Sequence, residues 1–210
     1  MKLSLGKIPN DIKISIVAFL MICAAAIISP HFLEPANIRS LLMQVAPLGM
    51  IAVGMTFVII TAGIDLSVGS QVAMISVLMA GTGNLSSPVM IGMALVIGFV
   101  AGCSNGFLIG SAQISPFITT LATMAIFKGI ALFTSNSEER RIVDADFSAL
   151  ATTDILGLPL PVWLFFSAVI IGQIVLKRTV FGLRVAAVGS NCEAARFAGI
   201  DVDKIPPSEG

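Results

Sequence analysis

Between Arg39 and Lys128 lie 88 residues that carry one charge, Asp65. A soluble domain holds roughly 25% charged residues, spread along its length, so such a stretch has no place on a water-facing surface. The whole chain repeats the message at 11% charged, 56% hydrophobic and a mean hydropathy of +0.99. Two hundred and ten residues cannot fold a core large enough to hide that much apolar surface from water. A soluble globular domain is excluded, and so is a disordered chain. The solvent this sequence is written for is lipid. Twelve basic residues balance twelve acidic ones; with no basic patch, nucleic acid is not a partner.

Six apolar runs follow one another at 12–29, 41–63, 66–83, 88–110, 114–134 and 160–176. Each falls within the roughly 17–25 residues a helix needs to cross hydrocarbon. The expected fold is therefore all-α: one polytopic domain over 1–210 with six transmembrane helices. The first run lacks a small-residue cleavage site before Ser29-Pro30-His31-Phe32, so it is not a removable signal peptide. Six crossings place Lys2, Lys7 and Lys13 on the same side as Lys177, Arg178, Arg184, Arg196 and Lys204. Only Arg39, Arg140 and Arg141 lie opposite. The positive-inside rule makes the richer side the cytoplasm and puts both termini there. It also argues for the short third run as a full crossing, because a segment that dipped in and returned would send the basic tail outside. The long outer loop, 135–159, is mixed and acidic. It reads either as a solvated loop or as a docking surface for a soluble partner.

Within the runs, Gly98, Gly102, Gly106 and Gly110 are spaced by four and are expected to line one face for close helix packing. Asn105, beside that face, needs a partner in hydrocarbon; an interhelical bond and a polar rung of a transport path are both open to it. Pro116 suits the first turn of the fifth helix. Thr119, Thr120 and Thr123 can bond to backbone within that helix or line a path. Pro47 implies a kink or break in the second helix, and Lys128 has a stem long enough to snorkel outward.

Runs two and three are joined by Thr61-Ala62-Gly63-Ile64-Asp65-Leu66-Ser67-Val68-Gly69-Ser70. Gly63 can end one helix and Asp65 can cap the next, where a carboxylate meets the positive helix end. A proton or cation site is the sharper reading, but no second titratable group stands near it in sequence. Cys23, Cys103 and Cys192 are odd in number and scattered, which argues against disulfides and against a metal site. His31, the single histidine, reads as an interfacial loop residue.

After Lys177 the character changes. Gly189 through Ile200 reads as a short helix with Asn191 as N-cap, Glu193 in the first turn and Gly199 at its end. It is too short to stand alone and needs a surface, to which Ala194, Phe197 and Ala198 offer one face.

The run Gly54-Met55-Thr56 through Gly63-Ile64-Asp65-Leu66-Ser67-Val68-Gly69-Ser70 resembles the signature of ribose-type sugar ABC transporter permeases. Ser104-Asn105-Gly106, Ile114-Ser115-Pro116-Phe117-Ile118-Thr119-Thr120-Leu121 and Pro161-Val162-Trp163 are similar to segments of that family. The stretch from Gly189-Ser190-Asn191 to Gly199-Ile200-Asp201-Val202, with Glu193, Ala194, Ala195 and Arg196, resembles its cytoplasmic coupling segment. The likeness runs over about 12–205.

The resemblance implies a bacterial inner-membrane permease that is not itself an enzyme. It would pair with a second permease chain, receive sugar from a periplasmic binding protein, and be driven by a cytoplasmic ATPase gripping the coupling helix. No Walker A pattern is present, so the ATP and magnesium belong to that ATPase and this chain carries no cofactor. The family has further membrane helices beyond the point where the likeness stops, near Lys204-Ile205. The resemblance therefore implies that later helices are missing and that the chain as written does not transport. The residues leave two other functions to compare. A stand-alone channel or ion-coupled carrier is disfavoured by having only Asp65 and Lys128 as membrane charges. A membrane-embedded enzyme lacks a His/Asp/Glu cluster in the spans.

Overall fold

The computed structural model describes residues 10–83, 85–142 and 144–191, together with 195 and 197. Among them are eight α-helices and one short antiparallel strand pair. The chain divides into two compact units, Met1–Val45 and Ala46–Gly210.

The first unit holds α1 (Asn10–Ile28) and the opening of α2 (Pro35–Ile60). Between them the chain turns at 29–34, where Phe32 N–H donates to Ser29 O and Glu34 N–H to His31 O. His31 Nδ1 pairs with Glu34 Oε1, both well exposed. Asn37 Nδ2 donates to Phe32 O at 2.7 Å, tying the first turn of α2 to the loop. Pro35 opens α2, six residues before the apolar run at 41, because a proline in the first turn forfeits no helical bond.

In the second unit α2 continues to Ile60 and is not broken at Pro47. Next come α3 (Val68–Ala80), α4 (Ser87–Gly110) and α5 (Pro116–Ser135). Pro88 and Pro116 stand in the first turns of α4 and α5. α5 ends on Asn136 in the left-handed conformation, φ 54°. α3 packs most extensively on α5, and both touch α4. Met74, Ala101, Phe127 and Ala131 form the buried centre of this group, with Ile75, Val77, Leu78 and Ile97 around it. The outward faces stay apolar: Phe99 is 73% exposed and Phe133 87%. Such faces are stable only where the surrounding medium is itself apolar.

The loop 136–159 is more structured than a solvated coil. It contains α6 (Ala145–Thr152), then β1 (Asp154–Ile155) and β2 (Leu158–Pro159) in register Asp154↔Pro159. Leu156 and Gly157, with φ 52° and 82°, make the two-residue turn, whose mirror-image geometry matches strand twist. Asp144 caps α6, accepting from Phe147 N–H at 2.6 Å and from Ser87 Oγ at 2.8 Å. Those two bonds hold its carboxyl below the ordinary value, with the Phe147 amide the larger cause. Trp163 Nε1 reaches back to Ile155 O at 2.8 Å.

α7 (Leu160–Arg178) and α8 (Val180–Ser190) complete the described helices. Sequence periodicity missed α8. Thr179 makes the bend: its hydroxyl accepts from Gly182 N–H at 3.1 Å and donates to Val175 O at 2.5 Å. A Cβ at Gly182 would collide with the Val175 and Leu176 carbonyls, so α8 folds tightly onto the end of α7.

Among the described residues, four helices are long and apolar enough to cross a membrane: Pro35–Ile60, Ser87–Gly110, Pro116–Ser135 and Leu160–Arg178. The apolar part of α1, Ile12–Ile28, and α3 are shorter.

Candidate functional site

The link between α2 and α3 is where backbone leaves helical geometry inside the apolar stretch. α2 ends in a two-bond cap: Gly63 N–H donates to Val58 O and Ala62 N–H to Ile59 O, both at 2.9 Å. This is the Schellman pattern, with one difference from the sequence expectation. The left-handed residue is Ala62, φ 58°, and not Gly63. Gly63 is needed for closeness instead, since a Cβ there would lie 3.2 Å from Val58 Cγ1 and Val58 O.

Residues 63–67 then run without regular structure into α3. Asp65 does not cap the first helical amides. Its Oδ1 accepts from Ser67 N–H at 2.8 Å and from Ser67 Oγ at 2.7 Å, and Ser67 itself is the N-cap residue, without a side-chain cap bond. A carboxylate two residues back forms a local turn of the Asx kind. Ser67 is fully buried and accepts from Asn105 Nδ2 of α4 at 3.0 Å. Thr120 of α5 donates its hydroxyl to Pro116 O at 2.8 Å and to Ile64 O at 3.3 Å, sharing one proton between helix and link. Gln71 Nε2 donates to Gly98 O at 3.1 Å, a further tie from α3 to α4. The irregular segment is thus sealed by side chains from both neighbouring helices, as backbone at membrane depth requires.

Two buried polar atoms in this neighbourhood, Asn105 Oδ1 and Thr119 Oγ1, have no partner among the described residues. The amide orientation at Asn105 is fixed. Ser67 Oγ spends its proton on Asp65, so the group facing it must be the amide nitrogen, and the oxygen is the one left over. Thr123 bonds only within α5, to Thr119 O at 3.1 Å and Thr120 O at 3.3 Å. Of the residues singled out from sequence, Asp65, Ser67, Asn105 and Thr120 are brought together, with Pro116 supplying a carbonyl. A Cβ at Gly69 would meet nothing within 4 Å.

In the α4 glycine ladder, a Cβ at Gly98 would stand 3.6 Å from Ile75 Cδ1, while at Gly102 and Gly106 nothing among the described residues lies within 4 Å. A step of four residues turns 40° past a full circle, so three steps carry Gly98 and Gly110 far apart around the helix. Close approach occurs elsewhere. Gly49 has no room for a Cβ beneath the Phe165 ring, and one at Gly172 would lie 2.8 Å from Val53 Cγ1.

At the other end, Gly189 belongs to α8, and a Cβ there would collide with the Ile60 carbonyl at the end of α2. Asn191 closes α8 with its N–H on Ala187 O, and its own carbonyl accepts from Ala195 N–H at 3.0 Å. Ala195 is buried. Glu193, Ala194, Arg196 and Gly199 lie outside the described residues. No group of three His, Cys, Asp or Glu side chains able to hold a metal occurs among the described residues.

The chain is similar to three curated permeases of longer length. It is 40% identical over 193 residues to the ribose import permease protein of Bacillus subtilis (strain 168), covering 89% of this chain and 59% of that one. It is 38% identical over 201 residues to the L-arabinose transport system permease protein of Escherichia coli (strain K12), covering 95% and 61%. It is 30% identical over 203 residues to the galactofuranose transporter permease protein of Escherichia coli (strain K12), covering 92% and 60%. The chain thus spans about three-fifths of the length of these relatives. No solved structure matches it. Residues 37–206 match the family described as branched-chain amino acid transport system / permease component, and the chain belongs to that family.

Proposed function

We propose that this chain is a membrane-spanning permease subunit of a binding-protein-dependent ABC importer for a sugar, a monosaccharide such as ribose or arabinose, in a bacterial inner membrane. The observation that carries the reading is the sealed helix break at 61–67. Discontinuous helices with polar side chains gathered on the unwound stretch mark substrate paths in membrane transporters. Asn105, Pro116, Thr119 and Thr120 are the residues assigned to that path.

Six crossings are supported by the contact between Gly189 and Ile60, and placing both ends in the cytoplasm rests on the excess of basic residues on that side. α8 is 11 residues long, about 16 Å, and cannot recross hydrocarbon of about 30 Å. The ends of α2 and α7 therefore share a side, and the number of crossings between them is even. α4, α5 and α7 make three, so α3 makes the fourth. α3 has 13 residues and covers about 20 Å; the irregular 63–67 leads into it and contributes the remainder of the crossing.

The cytoplasmic ATPase binds 189–200, a periplasmic binding protein delivers sugar to the outer side, and a second permease chain completes the pore. ATP and magnesium are held by the ATPase. The test is uptake of labelled ribose and arabinose in cells that lack their own permease but supply the ATPase and binding protein. For the chain in a full-length context, uptake should need both partners and persist with a proton ionophore; the chain as written should not transport. Uptake independent of the ATPase would favour a stand-alone channel or ion-coupled carrier instead. Cysteine labelling from outside should reach a probe at Ser148 and miss one at Ser190; the reverse sinks the topology.

A further inference from the structure

α8 is apolar around most of its circumference, and only part of it is covered. Gly182, Val185 and Val188 are its buried residues. Phe181 leans on Phe57 of α2, ring centroids 6.3 Å apart. On the opposite face, Val180 and Leu183 at helical spacing are bare, 65% and 69% exposed, and Ala187 beside them is half-buried. Beside that stripe stands exposed Arg184, and at the end of α7 the exposed Lys177 and Arg178. None of these three cations has an ion-pair partner among the described residues. A helix in water would not keep Val180 and Leu183 bare, and one inside hydrocarbon would not keep three unpaired cations. An interface between the two satisfies both at once.

We propose that the bare face of α8 lies in the membrane–water interface against anionic phospholipid. Val180 and Leu183 enter the upper acyl region, and Lys177, Arg178 and Arg184 meet headgroup phosphates. Continuity with α7 places the helix there, because α7 is apolar to Val175-Leu176 and its basic end is two residues from the start of α8. The Thr179 bend and the collision awaiting any Cβ at Gly182 fix α8 on that end, so the cations arrive at headgroup depth without further ordering. Charge complementarity selects the lipid: three exposed cations within eight residues of chain favour phosphatidylglycerol over the zwitterionic phosphatidylcholine. The inference rests on α7 crossing the membrane.

The experiment uses the chain reconstituted in vesicles of phosphatidylcholine with and without phosphatidylglycerol. Trp163→Phe removes the native tryptophan, and Leu183→Trp or, separately, Val180→Trp reports on the stripe. Quencher lipids carry bromine on acyl carbons close to the headgroup. Expected is quenching at both positions, stronger when the brominated lipid is phosphatidylglycerol. Arg184→Gln with Lys177→Gln should weaken the phosphatidylglycerol preference, by about fivefold for each cation removed. Quenching by aqueous iodide but not by brominated lipid overturns the proposal. So does protection from lipid quenching that appears only when the ATPase is added, which would make the stripe a protein-docking face. A separate reporter, Ile170→Trp in the middle of α7, is quenched by lipid brominated near the bilayer centre if α7 crosses. If that quenching is absent the membrane reading of α7 fails; if it is present and the α8 reporters are not quenched by lipid, the interfacial inference alone fails.

Discussion

Where α3, α4 and α5 meet, the elements are joined by side-chain hydrogen bonds: Asn105 to Ser67, Thr120 to Ile64, Gln71 to Gly98. Where α2, α7 and α8 meet, the described approaches are steric. Phe165 lies over Gly49, Val53 over Gly172, and Gly189 rests on the Ile60 carbonyl. Both groups draw on the same apolar composition. Lipid tails are as apolar as leucine, so helices in a membrane gain little by burying apolar side chains against each other and associate through polar bonds or close fit. This chain uses each device in a different place, and the two differ in what they permit. A hydroxyl that already shares its proton between two carbonyls, next to unpartnered Asn105 Oδ1 and Thr119 Oγ1, has other bonds open to it. A backbone pressed on a carbonyl through a missing Cβ has one arrangement. The first group has alternative bonds within reach, and the second has a single fit.

The largest effect should come from breaking the steric side. Gly189→Val puts a branched side chain into the Ile60 carbonyl, and the helix must move to admit it. Overpacking against backbone costs about 3 kcal/mol. Thermal unfolding in detergent should show that loss, and ATP-coupled uptake should fall with it while membrane insertion is unchanged. A variant as stable as the parent would remove the distinction between the groups.

The polar side should break more gently. Asn105→Ala removes one bond and also one unpartnered oxygen, with a net loss of about 1 kcal/mol. Combined with Ser67→Ala in a double-mutant cycle, the coupling between the pair should be about 0.6 kcal/mol, the size typical of interhelical bonds in lipid. Thr120→Val should destabilise more than Thr123→Val, because only Thr120 reaches beyond its own helix. Zero coupling at Asn105 and Ser67 would show that the buried network holds nothing together.

These contrasts also show what the sequence made legible. The runs at 88–110 and 114–134 announce α4 and α5, because each apolar stretch begins beside a proline that suits a first turn and is flanked by polar residues. The cluster at 61–70 was legible as a break, since Gly63, Asp65 and Ser67 interrupt an apolar stretch. Its geometry was not. Nothing local says that Ala62 takes the left-handed position while Gly63 is spent on closeness, or that Asp65 serves Ser67. The glycines at spacing four drift by 40° per step around α4, and within the described residues only Gly98 among those at 98, 102 and 106 has a neighbour within 4 Å of a would-be Cβ. Those that matter, Gly49, Gly172, Gly182 and Gly189, share no spacing because each answers a neighbour distant in sequence. α8 was hidden because its bend depends on one hydroxyl and one missing Cβ.

The outer loop supplies a pH-dependent contrast with the largely uncharged helices. Asp144 has its carboxyl held below the ordinary value of 3.8 by the Phe147 amide and then Ser87. A depressed folded value means that the carboxylate's contribution is complete above the unfolded value and is lost as pH falls through the folded one. Protection of the Phe147 amide from hydrogen exchange, corrected for intrinsic rate, should be flat above the ordinary value and decline below it. Asp144→Asn should flatten that decline. A decline of equal size in the Asn variant would place its cause elsewhere.

The smallest effect tests the open part of α4. Gly102 and Gly106 have nothing within 4 Å of a would-be Cβ, so Gly102→Ala and Gly106→Ala meet no resistance within this chain. Alanine restricts the unfolded backbone more than glycine and suits a helix better, which should raise stability by about 0.5 kcal/mol. The contrast with Gly189 is then one of sign: the same added methyl stabilises on the open face and destabilises where a carbonyl stands. Measuring both in detergent and again in the assembled membrane complex separates two cases. If Gly102→Ala is favourable in both, that face meets only lipid. If it is favourable in detergent and harmful to assembly, another helix comes within van der Waals reach of Gly102 in the complex, and the face is a packing surface after all. Destabilisation already in detergent, for the chain alone, would mean that the space beside Gly102 is filled, and the line drawn between the two helix groups would have to move.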